Sequence, residues 1–358
     1  MMNFLERTRR GMASGLHVFI ALIWALLLAG NSVDAQTDPN QATWRVMWAN
    51  DALFGSDNQF SNGFGVAKHS ALADSLDQTG GTPAFGKWLA RWLLPTGDGL
   101  LYREGWSLGH NLQTPDDLKQ RDIILDDVPY VSMVGWTNSH IAFDNRRLTG
   151  VQTLLGWVGD VTLGEQIQSQ AHKVSGANDP KGWDNQLANE PLVNLYVMKK
   201  RKFFDNSWMD ASGNLDGALG NLFTYGQAAL ELRFGDRPDG FAYQINTIGH
   251  NLDFDGRIHQ PGRSYLYSSL ILRGTHMVHA LPRDGNLLRK NNDAWSNNNQ
   301  LNAEEWIGQI GLGLHYERAR WGAHLTAFFS SSAIEGSRST RVVDPNNNFA
   351  SLVFEWQF

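Results

Sequence analysis

Phe349-Ala-Ser-Leu-Val-Phe-Glu-Trp-Gln-Phe358 closes the chain. Leu352, Phe354, Trp356 and Phe358 alternate with Ser351, Val353, Glu355 and Gln357. A period of two is that of a strand, here with one apolar and one mostly polar face. The stretch Tyr225–Phe234 repeats the pattern, with Leu230, Leu232 and Phe234 on one side and Glu231 and Arg233 on the other. In a soluble sandwich the apolar face would meet a second sheet; in a membrane barrel it meets lipid, and the polar face lines the interior.

The other end of the chain favours the membrane. Arg7, Arg9 and Arg10 precede an apolar run from Leu16 to Ala29, followed by Asn-Ser-Val-Asp-Ala35. This is the three-part pattern of a secretory signal peptide, with cleavage expected after Ala35. The run is shorter than the roughly 20 apolar residues a spanning helix needs, and nothing after Gln36 approaches that length. The expected organisation is a signal peptide over 1–35 and one barrel over 36–358. The 36 glycines, 14 tryptophans and 18 phenylalanines suit short strands, tight turns and aromatic girdles. Cysteine is absent, so no disulfide staples the chain. A net charge of −6 carries no nucleic-acid signature. The fold class is therefore all-β, a transmembrane antiparallel barrel of about twelve strands, an even number consistent with closure. Candidate strands lie near 43–50, 60–69, 101–112, 129–142, 147–158, 190–200, 222–234, 240–248, 263–275, 304–316, 320–331 and 348–358. Polar loops are expected near 70–99, 202–220, 279–303 and 333–347. A terminal Phe358 on such a strand resembles the signal read by the barrel-assembly machinery, an expected partner.

One segment breaks the alternation. Over Leu163–Val174, Ile167, Ala171 and Val174 fall at helical spacing. Gln168 and His172, four apart, then share one face. His172 is the acid–base candidate, because an imidazole ordinarily titrates near neutrality; a polar helix face in a barrel is the other reading. Earlier, Asn50 and Asp51 end a strand and Asp57, Asn58, Ser61 and Asn62 follow. Oxygen-bearing side chains among glycines suit a hard cation such as Ca²⁺, but composition alone favours a hairpin that uses these residues for turn geometry, and there is no EF-hand spacing. No GxSxG elbow or HExxH pattern is present.

These stretches resemble the outer-membrane lipid A 3′-O-deacylase family. The matching pieces are Asn50–Asp51, Phe60-Ser61-Asn62-Gly63, and the block Gly156, Val158, Gly159, Asp160, Gly164, Gln168, His172, Gly176, Ala177, Gly182, Trp183, Gln186 and Asn189. The resemblance implies a twelve-stranded barrel that hydrolyses the ester of the 3′-acyloxyacyl chain of lipid A and requires Ca²⁺. It implies His172 as the base that activates water, Asp51 with Asn50 beside it at the cation, and Ser61 and Gln168 in the family's catalytic Thr and Gln places. Lys119, after Thr114-Pro115 and one residue out of register, takes the place of the family's active-site Lys. Asn178, followed by Asp179, stands where the family pattern can carry an acidic residue. Two other functions are compatible with the strands: a non-catalytic small porin or structural barrel, and a Ser–His phospholipase acting on outer-membrane lipids.

Overall fold

The computed structural model describes residues 40–51, 59–80, 83–175, 179–243, 253–289, 293–318, 320–331, 333–337 and 348–357. The expected signal peptide, Asp57, Asn58, Gly176, Ala177, Asn178 and the terminal Phe358 lie outside them. Twelve antiparallel strands close into one barrel. They are β1 (Thr43–Asn50), β2 (Gln59–His69), β3 (Leu101–Thr114), β4 (Val131–Phe143), β5 (Arg147–Val158), β6 (Glu190–Asp205), β7 (Met209–Gly220), β8 (Phe223–Asp236), β9 (Tyr265–Ala280), β10 (Trp306–Arg318), β11 (Trp321–Ser330) and β12 (Phe349–Gln357). Each strand pairs with its neighbours in sequence, and β12 returns to β1 from Thr43↔Gln357 to Asn50↔Ala350. The chain enters β1 and leaves β12 at the same rim. In an outer-membrane barrel this is the periplasmic one.

Alternation sets the two faces. Phe64, Leu108, Leu155, Val193, Leu215 and Leu312 are exposed on the outside of the wall, as a lipid-facing belt requires. Inside, buried polar side chains meet one another. The connection from β8 to β9, in its described parts 237–243 and 253–264, enters the bore from the periplasmic end. Its Asp255 is surrounded by three guanidinium groups. Arg45 of β1 contacts it directly, Arg103 of β3 lies at 2.7 Å, and Arg257 binds it at 2.9 and 3.0 Å. Arg257 also reaches Glu317 of β10 at 2.9 Å and Glu355 of β12 at 2.6 Å. Above this network Phe241 and Phe254 join an apolar cluster with Met133, Leu154, Leu192 and Phe223. Leu281 and Trp295, from short helical turns between β9 and β10, complete the cluster at the extracellular end. The bore is thus filled by side chains and by its own periplasmic loop.

Three expectations need correction. In the 240–248 stretch, of which 244–248 lie outside the described residues, residues 240–243 are not part of the wall. Only Asp239–Gly240 is strand, paired with Arg257–Ile258, and Phe241 and Tyr243 are buried in the bore. Conversely, the loop expected at 202–220 holds the end of β6, a tight turn and all of β7. In β7 the inward row is Asp210, Ser212, Asn214 and Asp216, all buried, while the outward row includes Gly213 and Gly217. Gly213 and Gly217 alternate outside with the exposed Leu215 and Leu219, which thins the apolar row and obscures its period. The loop expected at 70–99 also contains a helix, α1 (Ala84–Leu93).

Asp255→Ala would leave three buried guanidiniums without their shared carboxylate. Breaking buried charge pairs in this way typically costs about 3–5 kcal/mol. The expected result is a lower urea midpoint for the variant barrel refolded in lipid vesicles.

Candidate active site

Residues 159–175, which follow β5, fold back onto the outside of the wall, whereas Leu187, just before β6, joins the apolar cluster of the bore. By alternation His110 and Leu112 of β3 and Ser132 of β4 point outward. His110 Nε2 lies 3.1 Å from the Thr162 carbonyl oxygen and 3.2 Å from Ser132 Oγ. Thr162 Oγ1 contacts Ser132 Oγ at 2.5 Å. The next residues form helix α2 (Gly164–Ser175). Gly164 sits so close to the wall that a Cβ would meet Ser132 Cβ at 2.3 Å, so only glycine allows this approach.

The helix expected at 163–174 is present, but its polarity is reversed. Leu163, Ile167 and Ala171 are exposed, whereas Gln168 is 3% exposed. For a helix lying in water this would be inside out; against lipid it is the expected arrangement. Gln168 is buried by Trp183, which belongs to a cluster with Leu112, Leu118 and Tyr130. Trp183 Nε1 donates to Gln168 Oε1 at 2.8 Å. An indole N–H is only a donor, so the amide oxygen must receive it and the amide NH₂ is the other end. That Nε2 is buried and has no hydrogen-bond partner among the described residues. His172 follows one turn later, half-buried.

Ser61 lies in the same sector of wall, where the β2–β3 pairing shifts register between Phe60 and Asn62. Such an irregularity re-aims a side chain. The Ser61 hydroxyl is 2.7 Å from Thr114 Oγ1 at the end of β3. Asn50 closes β1 beside it, with Nδ2 donating to the Ser61 carbonyl at 2.6 Å. Asp51 follows and is buried. Asn50, Asp51 and Ser61 thus meet at the extracellular end of β1–β3, and Gln168 and His172 lie on the same outer sector through Trp183 and Leu112. Lys119 is placed differently. It is exposed on the β3–β4 loop, its backbone N–H donates to Asp117 Oδ1 at 3.0 Å, and among the described residues no hydrogen bond or ion pair of its ammonium joins the cluster. Leu118 O nevertheless accepts from Lys181 N at 2.8 Å, which fastens this loop next to Trp183.

Among the described residues no three His, Cys, Asp or Glu side chains gather at a metal-binding spacing. A cation here would rest on one carboxylate with amide, hydroxyl and carbonyl oxygens. That donor set is the chemistry of Ca²⁺ rather than of zinc, and the residues fit it in kind. Sequence reasoning missed the His110–Ser132–Thr162 brace and the grip of Trp183 on Gln168. The first had a signal: His110 interrupts the outward row Leu108, His110, Leu112, where lipid would be expected.

The wall, its apolar belt and its filled bore define an integral outer-membrane β-barrel. The chain matches the family described as Outer membrane protein LpxR over residues 19–358, and it belongs to that family. Among solved structures it is similar to LpxR from Salmonella typhimurium, with a TM-score of 0.66 and 13% identity over 88% of this chain and 100% of that one. It also matches the β domain of the Bordetella autotransporter BrkA, with a TM-score of 0.41 and 10% identity over 90% of this chain and 100% of that one. No curated protein matches the chain.

An unpartnered buried amide destabilises a fold by about 1–3 kcal/mol, more than one neutral hydrogen bond contributes. The double variant Gln168→Met/Trp183→Phe removes both, with a small cavity left by the smaller ring as the offsetting cost. It is expected to unfold at the same urea concentration as the unaltered protein or a higher one.

Proposed function

We propose that this barrel is a Ca²⁺-dependent lipid A 3′-O-deacylase. The observation that carries the reading is the buried, unpartnered Nε2 of Gln168, oriented by Trp183 one helical turn from His172. A fixed donor with no partner of its own is what a developing oxyanion requires. Membership of the LpxR family supports the substrate class. So does the position of the cluster on the outer wall at the extracellular rim, level with the leaflet that carries lipopolysaccharide.

In this reading the His172 imidazole takes a proton from a water whose oxygen attacks the ester carbonyl carbon. Gln168 Nε2 donates to the resulting oxyanion. Collapse breaks the bond between that carbon and the sugar 3′ oxygen, and His172 returns the proton to this oxygen. The acyloxyacyl chain leaves as a carboxylic acid. Ser61, fixed against Thr114, helps orient the water. Ca²⁺ held by Asp51 and Asn50 would polarise the carbonyl and balance charge near an anionic lipid. Lys119 is assigned to headgroup binding.

The alternatives lack such a foundation. A porin needs an open bore, and this one is occupied by Asp255, Arg257, Phe241 and Phe254. A Ser–His phospholipase needs a serine hydroxyl free to be activated, whereas Ser132 beside His110 is already engaged by Thr162 Oγ1 at 2.5 Å and Ser269 with His315 lies inside the bore.

Mass spectrometry of lipid A from cells expressing the protein tests the proposal. The unaltered protein is expected to remove the 3′-linked chain, and His172→Ala to slow this by about 10²–10⁴-fold, the usual contribution of a general base. Unchanged lipid A with the unaltered protein would sink the reading, and equal activity of His172→Ala would remove the base. With purified protein, a chelator is expected to abolish release of the chain and added Ca²⁺ to restore it.

A further inference from the structure

Near its periplasmic end the barrel has polar residues on the face that should meet lipid. By alternation Asn138 and His140 of β4 and Glu104 of β3 point outward, yet they are 2%, 1% and 2% exposed. Their cover is α1 and the segment before it. Gly86 lies so close that a Cβ would meet Asn138 Oδ1 at 1.9 Å. Thr79 Oγ1 donates to Glu104 Oε2 at 3.1 Å, and Lys87 Nζ lies 3.8 Å from the same oxygen. Ala90 and Leu94 pack on Tyr102, Ala142 and Val151, also on the outside of the wall. Helix α1 is therefore strapped to the barrel exterior. His140 is three residues from the end of β4, so the helix sits near the periplasmic boundary of the membrane.

Among the described residues nothing covers its other side. Phe85, Trp88 and Trp92 are 61%, 54% and 75% exposed. They form a continuous row, with ring centroids 6.1 Å apart for Phe85–Trp88 and 6.5 Å for Trp88–Trp92. The spacing is that of one helical face, opposite the Gly86–Ala90 face. Lys87 and Arg91 lie on the flank, and Arg91 is paired with Asp77 at 2.6 Å. An exposed aromatic row of this kind is an interaction surface. It lies beside the outer wall of β4–β6, where Val151 and Leu195 pack with the helix.

We propose that α1 is an interfacial helix that seats Phe85, Trp88 and Trp92 at the headgroup–acyl boundary of the periplasmic phospholipid leaflet, while its inner face shields Glu104, Asn138 and His140 from lipid. The occupant follows from position. An element strapped to the outside of a membrane barrel at strand level displaces lipid, and Trp and Phe on an amphipathic helix partition to that boundary. The inference is independent of the catalytic reading and holds for a silent barrel as well.

The chain has no cysteine, so a single introduced one can be labelled selectively. Trp92→Cys, Trp88→Cys and Phe85→Cys would each carry an environment-sensitive fluorophore, with the full barrel in vesicles of phosphatidylethanolamine and phosphatidylglycerol. Leu312→Cys in the lipid belt and Asn298→Cys on an extracellular loop serve as references. The labels on α1 are expected to lose fluorescence to lipids bearing a nitroxide near the headgroup, as strongly as position 312 does to a deep nitroxide. Aqueous iodide is expected to quench them far less than position 298. Iodide quenching equal to that at 298 overturns the proposal. So does lipid quenching that emerges only when the protein is diluted in lipid, since that assigns the face to a second copy. Three positions are read separately, so the loss of one variant to misfolding leaves the others to decide.

Discussion

A sheet inside hydrocarbon must leave no edge, because an unpaired N–H or C=O there has no water to turn to. Pairing of β1 with β12 from Thr43↔Gln357 to Asn50↔Ala350 satisfies this condition, and other features follow from it. Once the wall is closed, every side chain is committed to one of two solvents. Outside is lipid, so a polar residue there needs a cover. The barrel has two such covers at opposite rims. Helix α1 lies over Glu104, Asn138 and His140, and the segment leading into α2 lies over His110 and Ser132. Each approaches through a glycine, Gly86 in one case and Gly164 in the other.

Inside, closure creates the opposite difficulty, a bore lined with charge and secluded from bulk water. The periplasmic connection between β8 and β9 resolves it by bringing Asp255 and Arg257 among Arg45, Arg103, Glu317 and Glu355. Three cations and three carboxylates balance there, and the same loop supplies Phe241 and Phe254 to the apolar half above. Neither half would be filled without it.

Much of this was legible in the sequence, for a physical reason. Lipid imposes a strict two-residue period, so strands such as β1, β5 and β12 could be placed almost to the residue, and α2 stood out because it broke the period. Legibility failed where the solvent was neither lipid nor water. Residues 241–243 are apolar because they fill a bore, and so imitate a strand. In β7, glycines between Leu215 and Leu219 dilute the outward row and so hide a strand. The row Phe85, Trp88 and Trp92 is helical in spacing, but its short length left it within an expected loop. At the site, the residue types and the sharing of one helical face by Gln168 and His172 were readable. That Gln168 would be the buried member, held by Trp183 from fifteen residues away, depends on packing that local periodicity does not encode.

The outward position of α2 changes the dimensionality of the encounter with any ligand. Leu163 and Ile167 are exposed beside Gln168 on the outside of the wall, so a ligand of this cluster would come to it sideways from a leaflet rather than down from solvent. A molecule arrives there by sliding in a plane. What sets occupancy is then its mole fraction among neighbouring lipids and the fluidity of that leaflet, and bulk concentration drops out of the rate.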